Sequence, residues 1–106
     1  MFRRRILEGR FYWRFDHSPR GIHPAYVYKK NDKKNQYNIL CFTSNKGGQR
    51  IKLNKNINPR SNSNCYVLNK TFIARNSSFG GEMFGCKVTD PRDKATMKYI
   101  IRKENR

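Results

Sequence analysis

Acidic residues are scarce in this chain of 106 residues. Seven Asp and Glu stand against 24 Lys and Arg, so the formal net charge is +17 and the pI is near 10.4. Ordinary solubility requires a net charge of only about 2 to 8. A compact chain with this excess repels itself, and a polyanion relieves the repulsion while counterions are released. The charge therefore predicts a nucleic acid as partner, in preference to an anionic membrane surface or an acidic protein.

Long apolar runs are also missing. No stretch approaches the roughly 20 apolar residues that a membrane helix needs. The basic start, MFRRRIL, is not followed by the apolar segment of a secretory signal. We therefore expect a cytoplasmic protein without a membrane partner.

Cysteine is sparse and odd in number. Cys41, Cys65 and Cys86 lie far apart, form no CxxC pair, and have only His17 and His23 to supplement them. This spacing argues against a disulfide framework and against a metal site. We expect three reduced, apolar thiols. Paired carboxylates and a Ser-His-Asp arrangement are not recognisable either.

Aromatic and β-branched residues are present throughout, in short runs separated by turn residues. These runs predict strands over 8–15, 24–30, 37–44, 50–53, 65–68 and 71–74, with alternation of polar and apolar residues clearest at 50–53 and the most apolar run at 37–44. The intervening turns and loops are expected at 17–21, 31–36, 45–49, 54–64 and 77–85. The segment 54–64 is rich in Asn and Ser, and its length predicts a mobile or functional loop.

One helix is predicted near the C-terminus, over 91–103. Asp90 can cap it and Pro91 suits its first position. Met97, Ile100 and Ile101 fall on one face at helical spacing. The fold class that follows is mainly β with a C-terminal α-helix, in a single domain over 1–106 that forms a small twisted barrel.

The two histidines flank a basic segment, His17 to His23, that also contains Arg20. Cleavage of RNA requires a base for the 2′-hydroxyl, an acid for the leaving 5′-oxygen and donors for the developing phosphate charge. Histidine titrates near neutrality and suits the proton transfers. A histidine beside a proline can equally be an ordinary loop residue.

A second candidate segment is Thr43 to Gly48, which reads TSNKGG. It places two hydroxyls at the end of an apolar strand, followed by Lys46 and a flexible turn. Hydroxyls and exposed backbone N–H groups can hold a phosphate there, with the lysine as a point charge. The order of a nucleotide P-loop is missing, and an ordinary hairpin turn is the alternative.

Aromatic residues alternate with cations over 11–15 and 26–30. Exposed rings there can stack unpaired bases while the cations contact phosphates, although about half of the rings must face the core. The predicted RNA-binding residues are His17, Arg20, Lys29, Lys30, Arg50 and Arg60.

The order of these features resembles a known family. Residues 9–16 (GRFYWRFD), a short loop and residues 21–27 (GIHPAYV) resemble the opening of MazF/PemK-like toxins. The strand ending at 40–44, the following Lys46-Gly47 and the short strand 50–53 are similar to the next part of that family. Residues 66–68, Ile73 and the segment 85–101 resemble its later strands, terminal turn and helix.

The resemblance implies an SH3-like barrel and a toxin of a toxin–antitoxin system. The implied activity is a metal-independent, cofactor-free endoribonuclease that cuts single-stranded RNA to 2′,3′-cyclic phosphate and 5′-hydroxyl ends. The antitoxin would be an acidic protein or, because the Thr43-Ser44-x-Lys46 pattern also resembles ToxN-like toxins, a structured RNA. A homodimer is the expected assembly.

The family's catalytic Thr falls on Thr43, but its catalytic Arg falls on His23. Histidine can transfer protons, yet it cannot replace the permanent bidentate phosphate contact of an arginine. The catalytic set that follows is His23, Thr43, Ser44 and Lys46, with Arg20 in support. Two alternatives are a non-catalytic RNA- or DNA-binding barrel and a basic structural protein of ribosomal or packaging type.

Overall fold

The computed structural model describes residues 5–17, 20–31 and 33–104, without the side chains of Asp16, His17 and Arg20. Six strands and one α-helix form in chain order: β1 Arg10–His17, β2 Arg20–Asn31, β3 Gln36–Thr43, β4 Arg50–Lys52, β5 Tyr66–Arg75, β6 Phe79–Glu82 and α1 Pro91–Glu104. The strands pair antiparallel in one sheet of order β4-β5-β3-β2-β1-β6. The predicted class, mainly β with a C-terminal helix, is confirmed.

The sheet curls into a barrel-like shape because β5 and β6 are joined by only Asn76–Ser78, one turn of 3-10 helix. In a flat sheet of this order the two strands would lie four spacings apart, about 19 Å. The four steps from Arg75 to Phe79 span at most about 14 Å. Accordingly, the ring of Phe79 meets that of Tyr37 of β3, with 5.5 Å between centroids.

The two faces of the curled sheet carry separate apolar clusters, since side chains alternate along each strand. The inner face packs upon itself; its cluster includes Tyr12, Val27, Ile39 and Phe79. The outer face is covered by α1, by the loop after β4 and by the turn after β6. Its cluster includes Phe11, Leu40, Phe42, Val67, Met97 and Ile100.

The helix begins and packs as predicted. The carboxylate of Asp90 accepts the backbone N–H of Asp93 at 3.0 Å, and Pro91 is the first helical residue. Met97 and Ile100 are buried against the outer face of the sheet. Asp93, in the first turn of α1, is only 2% exposed and accepts the backbone N–H groups of Asn54 and Lys55.

The prediction of a loop over 17–21 is wrong. β1 continues to His17 and β2 begins at Arg20, with those two residues paired. His23 therefore lies inside a strand, because cross-strand pairing to β1 overrides the local signals of Pro and Gly.

Two further expectations also require correction. The short strands predicted at 65–68 and 71–74 are one strand, β5, whose pairing with β3 shifts between Val67 and Thr71. The turn-rich segment 77–85 contains β6. A Cβ on Gly80 would lie 3.2 Å from the Cβ of Trp13, so this glycine permits close approach of β6 rather than a turn.

The Asn-rich loop after β4 has a defined conformation. The side chains of Asn56, Asn58 and Ser61 each accept a backbone N–H two residues further on. Such local bonds satisfy the backbone where no strand partner is available. Within the described ranges, no helix is long and apolar enough to cross a membrane.

Candidate active site

Arg14 and His23 face each other across the first hairpin. The register pairs Arg14 of β1 with His23 of β2. Arg14 alternates with the buried Tyr12, and His23 alternates with the buried Ala25, so both side chains belong to the inner face. A cation and an imidazole therefore lie on neighbouring strands at the same level.

The guanidinium of Arg14 reaches beyond β2. Its Nη1 lies 3.8 Å from the Sγ of Cys41 on β3. Cys41 pairs with Ala25, which is fully buried and small, so the long side chain can pass above it. This contact holds the guanidinium close to the inner-face positions of both β2 and β3.

The imidazole of His23 lies across Gly21 on its own strand. A Cβ built on Gly21 would come within 2.7 Å of the His23 Nε2. Because any side chain at position 21 would meet the ring, the glycine permits the observed orientation of His23.

Thr43 ends β3 on the same inner face, in alternation with Cys41 and Ile39. His23 and Thr43 each lie two residues beyond the Ala25–Cys41 pair and so occupy the same end of the sheet. Thr43 is 7% exposed, and its Oγ1 accepts the backbone N–H of Asn45 at 3.2 Å. Since that bond uses a lone pair, the hydroxyl proton remains a donor.

The inner-face row continues across β5 and β4. Thr43 pairs with Tyr66, and Tyr66 pairs with Lys52. We name the five residues of this row the barrel mouth: Arg14, His23, Thr43, Lys52 and Tyr66. Neighbouring side chains in such a row have Cβ atoms about 5 Å apart. The barrel mouth thus combines two cations, an imidazole and two hydroxyls.

Ser44 and Lys46, also predicted to be catalytic, follow Thr43 directly. Ser44 is half-buried and Lys46 is exposed. The segment is held by Arg50, whose Nη1 donates to the carbonyl of Asn45 at 2.7 Å and whose guanidinium lies against Gly47. Arg50 was predicted to bind RNA; its observed contacts support the segment that carries Lys46.

Lys29, Lys30 and Arg60, which were also predicted to bind RNA, lie away from the barrel mouth. Lys29 and Lys30 lie at the opposite end of β2, about 20 Å from His23 along the strand. Arg60 lies on the outer face, with its guanidinium carbon 5.3 Å from the centre of the Trp13 ring. The side chains of His17 and Arg20 fall outside the described residues.

Sequence reasoning missed three residues of the barrel mouth: Arg14, Lys52 and Tyr66. For Arg14, a short connection between β1 and β2 would have been the signal, since register follows from loop length. For Lys52 and Tyr66, the alternation in each strand was visible, but the pairing of β4 with β5 was not.

None of the three cysteines forms a disulfide bond, and Cys41 and Cys65 are buried. Burial raises the pKa of the Cys65 thiol, and burial followed by the neighbouring Cys65 raises the pKa of Cys86 to about 11. Because the thiolate is the nucleophile, these two groups are unreactive near neutrality. Among the described residues, no cluster of His, Cys, Asp and Glu is able to hold a metal ion.

Five acidic side chains that the structure describes bond to partners outside the barrel mouth. Glu8, Asp90, Asp93 and Glu104 each accept a backbone N–H, and Glu82 pairs with Arg10 at 2.9 Å. None of these bonds involves a residue of the barrel mouth. The cations of the barrel mouth, Arg14 and Lys52, are of the kind that contact phosphate.

Comparison with known proteins gives no relative. The chain matches no known protein family, and no curated protein or solved structure is significantly similar to it. The barrel mouth is therefore the basis for a functional proposal.

Proposed function

We propose that this protein is a toxin-type endoribonuclease that cuts single-stranded RNA without a metal ion. The observation that carries the proposal is the inner-face row in which Arg14, His23 and Thr43 share one end of the sheet. They supply the base and the hydrogen-bond donors that the cleavage chemistry requires, and Lys46, which follows Thr43 in the chain, supplies the acid. The net charge of +17 supplies the general affinity for RNA.

In the proposed reaction, neutral His23 takes the proton of a ribose 2′-hydroxyl. The 2′-oxygen attacks the adjacent phosphorus, the bond from phosphorus to the 5′-oxygen breaks, and a 2′,3′-cyclic phosphate forms. The ammonium of Lys46 gives its proton to the leaving 5′-oxygen. Arg14 and the Thr43 hydroxyl donate hydrogen bonds to the non-bridging oxygens, where negative charge develops.

In the proposed site, Arg14 provides the guanidinium that position 23 lacks. The resemblance to MazF/PemK-like toxins expects an arginine at position 23, where this chain has histidine. In the proposed site the guanidinium comes instead from the neighbouring strand, directly opposite His23. The two functions of phosphate contact and proton transfer are then divided between two residues.

As a toxin, the protein would act in the cytoplasm, where its RNA substrate is. Its inhibitor would be an acidic protein or a structured RNA, either of which complements the basic surface. The homodimer implied by the resemblance stays a prediction. Growth arrest on expression, relieved by a neighbouring gene, would support this biological role.

The activity is tested by incubating the purified protein with long single-stranded RNA in EDTA. We expect cleavage to products with 2′,3′-cyclic phosphate and 5′-hydroxyl ends, and we expect His23→Ala and Thr43→Ala each to abolish most of it. Arg75→Ala is the control, because this exposed arginine ends β5 at the other end of the sheet. Absence of cleavage, or cleavage that His23→Ala and Thr43→Ala leave intact, would contradict the proposal.

A non-catalytic RNA- or DNA-binding barrel is the second candidate. It is favoured by the cations that lie far from the barrel mouth, such as Lys29 at the opposite end of β2 and Arg60 on the outer face. Tight binding that weakens steeply with salt, without any product, would support it over the nuclease.

A further inference from the structure

A cleft of about 640 Å³ opens on the outer face, away from the barrel mouth. Trp13 of β1 forms one side, the loop 55–59 another, and the turn 82–89 a third. Its size is in the range of pockets that bind small organic ligands, about 300–1,000 Å³. The loop wall is fixed because Asp93 accepts the N–H groups of Asn54 and Lys55.

Aromatic and apolar side chains continue from this cleft along the hairpin. Phe84 lines the cleft and is 82% exposed. Phe15 follows Trp13 on the outer face, and it pairs with Ile22; both are exposed. The strip thus leads from the cleft toward the end of the sheet where the barrel mouth lies.

Cations surround the aromatic residues of the cleft. The guanidinium of Arg60 lies over the Trp13 ring, and Lys55 and Lys87 line the walls. The two acids of the cleft are engaged: Glu82 pairs with Arg10, and both oxygens of Asp93 accept backbone N–H groups. A second copy of this basic chain would bring like charges together here. A polyanion that carries flat rings complements both features.

We propose that the cleft binds an unpaired base of a single-stranded nucleic acid. The base stacks on Phe84 and on the Trp13–Arg60 pair, while Lys55 and Lys87 contact the flanking phosphates. This base-binding site extends the proposed function. It depends on that function only for the choice of a nucleic acid as the ligand.

Trp13 is the only tryptophan of the chain, so its fluorescence reports directly on this cleft. The test is a titration with a short oligothymidylate, which lacks the 2′-hydroxyl and cannot be cut. A parallel titration uses inorganic polyphosphate, which has the charge but no bases. We expect saturable quenching by the oligonucleotide and much weaker quenching by polyphosphate. Equal effects of the two polyanions, or no quenching by either, would overturn the proposal.

Phe84→Ala removes the most exposed ring of the cleft and little else. Because this ring is a stacking partner of the base, we expect affinity for the oligonucleotide to fall about tenfold, which is about 1.4 kcal/mol. Tyr99→Ala is the matched control: Tyr99 is 57% exposed on α1 and has Lys103 Nζ 5.6 Å from its ring, but it does not line the cleft. Equal losses in the two variants would contradict a base-binding cleft.

The outcomes separate this proposal from the nuclease. Quenching that Phe84→Ala weakens, in a protein that cuts no RNA, would retain the cleft and reject the nuclease. RNA cleavage by a protein whose Trp13 fluorescence does not respond to the oligonucleotide would do the reverse.

Discussion

The barrel mouth and the outer-face cleft are built from consecutive residues of one strand. Arg14 faces inward toward His23, and Trp13 faces outward beneath Arg60. The side chains around Arg14 on the inner face can transfer protons or carry charge. Those around Trp13 on the outer face are aromatic rings and cations that border an open cleft. Alternation along β1 thus separates two kinds of surface by a single residue.

The two regions also differ in what holds them in place. Residues of the barrel mouth are positioned by strand register within the sheet. The wall of the cleft depends on a loop whose backbone is bonded to side chains, above all to the buried Asp93. Substitutions at the barrel mouth should therefore alter activity more than stability, and substitutions beneath the loop should do the opposite.

The largest effect is expected at Arg14. Removing a donor to a developing oxyanion lowers a rate by about 10²–10³-fold, so we expect Arg14→Ala to reduce RNA cleavage by that order. Arg14→Lys should restore only part of it, because lysine lacks the bidentate geometry. Single-turnover cleavage rates measure the effect, with Arg75→Ala as control. Full activity of Arg14→Ala would show that Arg14 takes no part in cleavage.

Asp93→Ala tests the support of the cleft. It leaves two backbone N–H groups, those of Asn54 and Lys55, without their carboxylate partner. We expect unfolding free energy to fall by about 2–3 kcal/mol. Urea denaturation measures this loss. Below the unfolding transition, cleavage at the barrel mouth should persist while quenching of Trp13 by oligothymidylate weakens. Loss of cleavage with unchanged quenching would show that Asp93 supports the barrel mouth and not the cleft.

Gly21→Ala displaces the imidazole of His23 without removing it. The new Cβ would meet the His23 Nε2 at 2.7 Å, so the ring must move. We expect cleavage to fall by about tenfold, since small misplacements of catalytic groups have effects up to about 10²-fold. Gly81→Ala in β6 is the control, because a Cβ there meets nothing within 4 Å. Equal activities of the two variants would show that the orientation of His23 is unimportant.

The smallest effect concerns the helix cap. The backbone N–H of Asp93 lowers the pKa of Asp90 from its ordinary value of 3.8. The charged cap therefore stabilises the fold above that ordinary value, and its contribution is lost as the pH falls through the lowered pKa. We expect the Tm difference between the wild type and Asp90→Asn to shrink from pH 7 to pH 3. A constant difference would mean that the charge is irrelevant.

Much of the secondary structure followed from local patterns. An apolar run located β3, alternation located β4, and Asp90, Pro91 and Met97 located α1. The candidates His23 and Thr43 were also recognisable, and they do share one face. Their catalytic role stays a prediction.

Arg14 could not be recognised because the connection between β1 and β2 was predicted to be too long. A loop over 17–21 would end the pairing at Asp16 and Ile22, which sets His23 opposite Phe15 and Arg14 opposite Pro24. The observed pairing of His17 with Arg20 shifts the register by one residue. A shift of one residue exchanges the faces of a strand, so it decided which side chain meets His23.

By itself, the sequence determined the charge surplus, the alternation that makes strands and the signals that begin the helix. These are local properties, carried by each residue and its near neighbours. Only the tertiary structure decided that Arg14 lies opposite His23, that Thr43 meets Tyr66, and that Phe84 and Arg60 join Trp13 around a cleft. Those pairings depend on strand register and on the curling of the sheet, which bring together residues that are distant in the chain. No local sequence pattern indicates which of these distant residues will meet.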